Sequence, residues 1–79
     1  MAQKATHMND AIRLLETGRP VDLKVWKLSD GNIIEYRSVV CVGGYWRRGT
    51  HRIRILRSAL IREFRDITLF EINNMSIYL

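Results

Sequence analysis

Two runs of alternating side chains flank Ser29-Asp30-Gly31-Asn32, and that arrangement constrains the fold more than any other part of the chain. Val21, Leu23 and Val25 alternate with Asp22, Lys24 and Trp26, the period-two pattern of a strand with one buried face. Beyond the tetrapeptide, Ile34, Tyr36, Val40 and Val42 are expected on one face and Ile33, Glu35, Arg37 and Val39 on the other. Gly31 takes a positive φ at no steric cost, which makes the tetrapeptide a turn. Residues 21–28 and 33–42 are therefore expected to pair as a β-hairpin, ended by Gly43-Gly44. Trp26 lies opposite the valines. It either packs beneath an N-terminal helix, the favoured reading, or is exposed as part of a binding surface.

A helix is expected upstream. Met8, Ile12 and Leu15 fall at helical spacing with Ala11 and Leu14 beside them, and Thr6 or Asn9 can cap the start. Gly18 and then Pro20 supply the usual stop, so the spacing predicts a helix over 8–17. Residues 1–7 are expected to be a loose start and 8–79 a single small domain.

Downstream, Tyr45-Trp46-Arg47-Arg48-Gly49-Thr50 reads as a loop between glycines. Ile53 and Ile55 alternate with Arg52 and Arg54, which predicts a third strand over 51–56 with the arginines outward. Ile53, Leu56, Leu60 and Phe64 also fit a helical stripe, so one basic helix over 52–65 is the competing reading. On the strand reading, residues 58–65 hold a single helical turn or an irregular crossing. Residues 67–72 and 75–79 are expected as strands around Asn73-Asn74, since Asn tolerates positive φ. The sum is an α+β fold: an N-terminal helix on a small bent antiparallel sheet or SH3-like barrel of about five strands. The Arg-Gly of the Sm family's last turn is replaced here by Asn73-Asn74.

Composition narrows function by exclusion. With 79 residues the core is small, and a partner or oligomer contact is a fair expectation. No apolar run approaches the roughly 20 residues of a membrane span, and residues 1–9 lack the pattern of a signal peptide. The single cysteine, Cys41, sits among Val39, Val40 and Val42 and is expected to be a small buried hydrophobe, which fits a reducing, cytoplasmic setting. His7 and His51 have no second ligand at metal spacing. His7 is expected to be exposed at the helix start and His51 to be a strand-edge residue. No nucleophile with a positioned base, no phosphate loop and no paired carboxylates stand out, so no catalytic residue, metal or cofactor is expected.

What remains is charge. The chain carries ten arginines and three lysines, for a net charge of +5 and a pI near 10.0. Residues 37–65 hold eight of the arginines and one acid, Glu63. Guanidinium groups neutralise phosphates, and aromatic rings stack on unpaired bases. Arg47, Arg48, Arg52 and Arg54 are the candidate phosphate contacts, with Tyr45 and Trp46 the candidate stacking platforms. The alternative is a solvated arginine face with Tyr45 and Trp46 capping the core.

From about residue 9 to 79 the chain resembles small proteins of Bacteroidetes bacteriophages and mobile elements. The residues that carry the resemblance are Asp10-Ala11-Ile12-Arg13-Leu14-Leu15-Glu16-Thr17-Gly18, Tyr45-Trp46-Arg47-Arg48-Gly49-Thr50-His51 and Leu69-Phe70-Glu71-Ile72-Asn73-Asn74-Met75. Asn73-Asn74 departs from the Asn-Gly of that last turn. The resemblance implies a phage-associated context, in the cytoplasm or a virion, and no mechanism. Two functional readings follow. One is a non-enzymatic module that binds nucleic acid. The other is a structural or interaction protein, such as a small virion component or host-protein inhibitor, whose strand over 75–79 adds to a partner's sheet edge.

Overall fold

The computed structural model describes residues 4–79. The elements run β1 (Ala5–His7), α1 (Met8–Glu16), β2 (Val21–Trp26), β3 (Ile33–Tyr45), β4 (Thr50–Ile55), β5 (Ile61–Arg65), a 3-10 turn (Asp66–Thr68), β6 (Leu69–Ile72) and β7 (Met75–Tyr78). All the strands join one sheet in the order β1-β7-β6-β2-β3-β4-β5. Every neighbouring pair is antiparallel except β1 with β7, which is parallel. The fold is α+β, as expected, but the sheet has seven strands rather than about five and is mixed rather than antiparallel.

Among the described residues no ladder joins β5 to β6, so the expected SH3-like barrel does not close. The sheet is nonetheless curled. β5 and β6 lie four places apart, which in a flat sheet would be about 19 Å. The connection between them, Asp66–Thr68, reaches at most about 14 Å. Only a strong bend brings the two strands within its reach.

The helix forms where the periodicity places it. Ala11 and Leu15, four residues apart, are fully buried against the sheet. Its N-cap is His7, whose Nδ1 accepts a hydrogen bond from the Asn9 N–H at 3.1 Å, in place of Thr6 or Asn9. The same histidine meets Tyr78 edge to face at 5.4 Å and is half-buried rather than exposed. At the other end Gly18, with φ +79°, turns the chain out of the helix. Residues 5–7, expected to be loose, instead form β1 against the apolar last strand; residues 1–3 of that expected loose start lie outside the described residues.

Two bulges reset the phase of β3. Val21 pairs with Val39 but Leu23 pairs with Tyr36, so β3 carries one extra residue there. Ser38 takes φ +54°, and its N–H donates to Asp22 Oδ1 at 2.8 Å. Alternation shifts by one residue at that point. Val39 is fully buried, and Val40 leaves the face it was expected to share with Ile34 and Tyr36. A second bulge inserts Val42 between Cys41 and Gly43. β3 then continues through Gly43-Gly44 to Tyr45, past its expected end.

The segment 52–65 is not a helix. β4 and β5 pair in strict register from Thr50–Arg65 to Arg54–Ile61, turned by residues 56–59 with Ala59 at φ +59°. This also replaces the helical turn expected over 58–65. Asn73 and Asn74 do take the positive φ values, +48° and +65°, that the last turn needs. Trp26 is 45% exposed on the face away from the helix and packs on Phe70 at 4.8 Å, so it does not lie under α1. Glu71 pairs with Lys24 across the sheet at 3.1 Å.

Leu15, Leu23, Val25, Val39, Ile53 and Ile72 fill the core between α1 and the inner face of the sheet. Leu15 is the largest helical side chain among them. Leu15→Ala should lower the free energy of unfolding by about 2–5 kcal/mol, seen as a reduced urea midpoint at unchanged slope.

Candidate functional site

The β3–β4 hairpin projects the candidate residues. Its tip is residues 46–49, closed by Arg48 N–H to Tyr45 O at 3.1 Å and Gly49 N–H to Trp46 O at 3.2 Å. Gly49 has φ +64°, which lets four residues reverse the chain. Trp46 is 83% exposed and Tyr45 59% exposed, so neither caps the core. The Arg47 guanidinium lies 5.3 Å from the Trp46 ring centre, and that of Arg48 lies 5.7 Å from the Tyr45 ring. Such contacts contribute about 0.5–1 kcal/mol each at exposed sites and hold cation and ring as a unit.

Arg52 and Arg54 stand on the outer face of β4, separated by buried Ile53. The structure thus brings Tyr45, Trp46, Arg47 and Arg48 together at the tip and extends the basic surface along one strand face through Arg52 and Arg54. Arg52 meets Glu63, its cross-strand neighbour on β5, at 3.5 Å. Among the described residues Arg47, Arg48, Arg54 and Arg65 have no carboxylate within ion-pair distance. Arg65 pairs in register with Thr50 and lines a concave surface with Arg48, Thr50, Glu63 and Phe64. Sequence reasoning missed Arg65 because a residue in an irregular crossing has no assignable face. Its strand alternation with Glu63 was the available signal.

The inner face of the hairpin, just below its tip, holds a feature that sequence reasoning missed. His51, expected at a strand edge, is 5% exposed on the inner face of β4, between β3 and β5. Its Nδ1 lies 2.5 Å from Asp66 Oδ1 in the 3-10 turn, and its Nε2 lies 2.9 Å from Glu16 Oε2 at the end of α1. Each ring nitrogen faces a carboxylate oxygen, a hydrogen-bond acceptor, and this arrangement favours the doubly protonated imidazolium. Phe64 stacks on it with ring centres 6.3 Å apart. Gly44, its cross-strand partner, leaves room for it: a Cβ there would stand 3.0 Å from Cδ2 and Nε2.

Burial alone would depress the pKa of His51. The hydrogen bonds and charges of Glu16 and Asp66 outweigh it, and the pKa rises above its ordinary 6.5. Nearby, burial pushes the thiol of Cys41 up, and its S–H donates to Gly43 O at 3.6 Å. Cys41 is half-buried against the core and stays protonated at neutral pH. With both nitrogens of His51 engaged, neither is free to take a proton from a substrate. Among the described residues no group of three or more His, Cys, Asp or Glu side chains is placed to hold a metal ion, and no helix is long and apolar enough to cross a membrane.

No protein-family model, no curated protein and no solved structure matches the chain.

The folded protein binds the His51 proton more tightly than the unfolded chain does. The stabilisation is therefore complete below pH 6.5 and is lost as pH rises through the higher folded-state pKa. Thermal melts from about pH 6 to about pH 9 should show falling stability that flattens in His51→Gln. A wild-type melting temperature that stays level across that range would contradict the ion-paired imidazolium.

Proposed function

We propose that the protein is a non-enzymatic basic module that binds single-stranded nucleic acid through the β3–β4 hairpin and the outer face of β4. The phage or mobile-element context belongs to the same proposal. The observation that carries it is the exposure of Trp46 and Tyr45, each covered by an arginine instead of by the core. A solvated arginine face has no use for an exposed tryptophan at the tip of a hairpin. An unpaired base has one, because stacking on an aromatic ring is worth about 1–3 kcal/mol. Arg47, Arg48, Arg54 and Arg65 are available for phosphates. The ion-paired state of His51 supports the non-enzymatic part of the reading.

A structural or interaction role is favoured by a different observation. Leu56, Leu60 and Ile61 are half-exposed together at the turn and start of edge strand β5. The strand over 75–79 no longer serves that role as an added edge, because β7 is paired on both sides, with β6 and β1.

Fluorescence anisotropy of a labelled single-stranded oligonucleotide should show binding whose log–log salt slope is about −0.7 per phosphate neutralised. Arg47→Ala with Arg48→Ala should reduce that slope by about 1.4. Trp46→Ala should weaken binding by about tenfold or more at constant slope. Absence of binding at low salt would overturn the proposal.

A further inference from the structure

The outer face beside the hairpin is concave where the second bulge falls. Gly43 and Gly44 present no side chains there, and Val42, Tyr45, Thr50, Arg52, Ile61 and Glu63 surround a depression of about 430 Å³. That volume is within the range of small-ligand sites, about 300–1,000 Å³. A Cβ added at Gly43 would meet nothing within 4 Å, so the space is open down to the backbone.

The lining is chemically specific. Val42, Ile61 and the Tyr45 ring offer apolar and aromatic walls to a flat ring. Arg52 and Glu63 set a donor fork and a carboxylate 3.5 Å apart at one side. Thr50 Oγ1, in the same wall, is buried without a hydrogen-bond partner among the described residues. Glu63 is out of place on a surface built only for phosphates, since it repels them and neutralises Arg52. A carboxylate is in place where a base edge must donate to it. Arg48 and Arg65 adjoin the depression across Thr50 and Glu63, where a flanking phosphate would lie.

We infer that this depression is a subsite for one unpaired guanine of a bound single strand. The inference rests on the nucleic-acid reading above and deepens it. Guanine carries acceptors at N7 and O6 for the Arg52 fork and, next to them, donors at N1 and N2 for the Glu63 carboxylate. Adenine presents a donor where Arg52 needs an acceptor. Cytosine offers the acceptor pair N3 and O2 to the fork but only the single donor N4 to the carboxylate. Thymine and uracil place their one donor, N3, between two acceptors, so no acceptor pair meets the fork. The expected order is guanine first, cytosine second, and thymine, uracil and adenine last.

The test is anisotropy with a short labelled oligothymidine and three others in which the central residue is dG, dA or dC. The dG strand should bind about tenfold tighter than the all-thymidine strand. Glu63→Gln should erase that preference while the all-thymidine strand binds as well or better, because a negative charge is gone. Gly43→Val, which fills the depression, should erase it too, with the fold checked by circular dichroism. Binding with no base preference, or with a preference that Glu63→Gln leaves intact, would overturn the subsite and leave the nucleic-acid reading standing. Failure of every strand to bind, at low salt, would overturn both.

Discussion

Both ring nitrogens of His51 face carboxylates, and this is the contact through which distant parts of the chain are joined. Glu16 ends the only α-helix among the described residues. Asp66 opens the turn that carries the chain from one end of the sheet back toward its middle. His51 sits just below the hairpin tip, between them. A backbone bond from Asp66 N–H to Gly49 O at 2.7 Å ties the same turn to the hairpin tip. For a chain whose core is this small, one buried side chain engaged through both ring nitrogens has large leverage. Removing the ring would leave Glu16 and Asp66 without the partner they share.

That join has a consequence for the outer face. The inner side of β4 is fixed by His51 and Ile53, so the alternation of the strand commits Arg52 and Arg54 to the other side. Gly44 accommodates the imidazole on the inner face, and Gly43, its neighbour, leaves the outer face bare. The two adjacent glycines therefore serve opposite faces, one the clamp and the other the depression. The aromatic–arginine tip stands just beyond, exposed yet carried on a strand pair anchored immediately below it. A binding surface built on paired strands is held more firmly than one on a free loop.

Much of the architecture is legible from local chemistry. The helix, the first hairpin, the β4 alternation and the Asn73-Asn74 turn each follow from a few adjacent residues whose preferences agree. What was not legible depends on non-local geometry. The bulge at Ser38 is set by Asp22, sixteen residues away, and it inverts the facing of β3 from Val39 to Cys41, until the second bulge at Val42 restores it. β1 forms only because β7 is there to pair with it. β5 mixes strand and helix periodicity, and its partner β4 decides between them. For His51 a signal did exist: the alternation that turns Ile53 and Ile55 inward turns residue 51 inward too. Nothing in the sequence indicated that Glu16 and Asp66 would meet it, because both join it from other elements. The basic tip was recognised from Tyr45, Trp46, Arg47 and Arg48 alone, whereas Arg65 and the role of Glu63 required the register of β5.

Whether a charged histidine bolts the helix and the crossover turn to the hairpin just below its tip is tested most directly by nitrogen NMR of the imidazole of His51. The account predicts that both ring nitrogens carry protons at neutral pH, with a titration midpoint above the ordinary 6.5. A neutral ring at pH 7, with one nitrogen bare and a midpoint at or below that value, would contradict it.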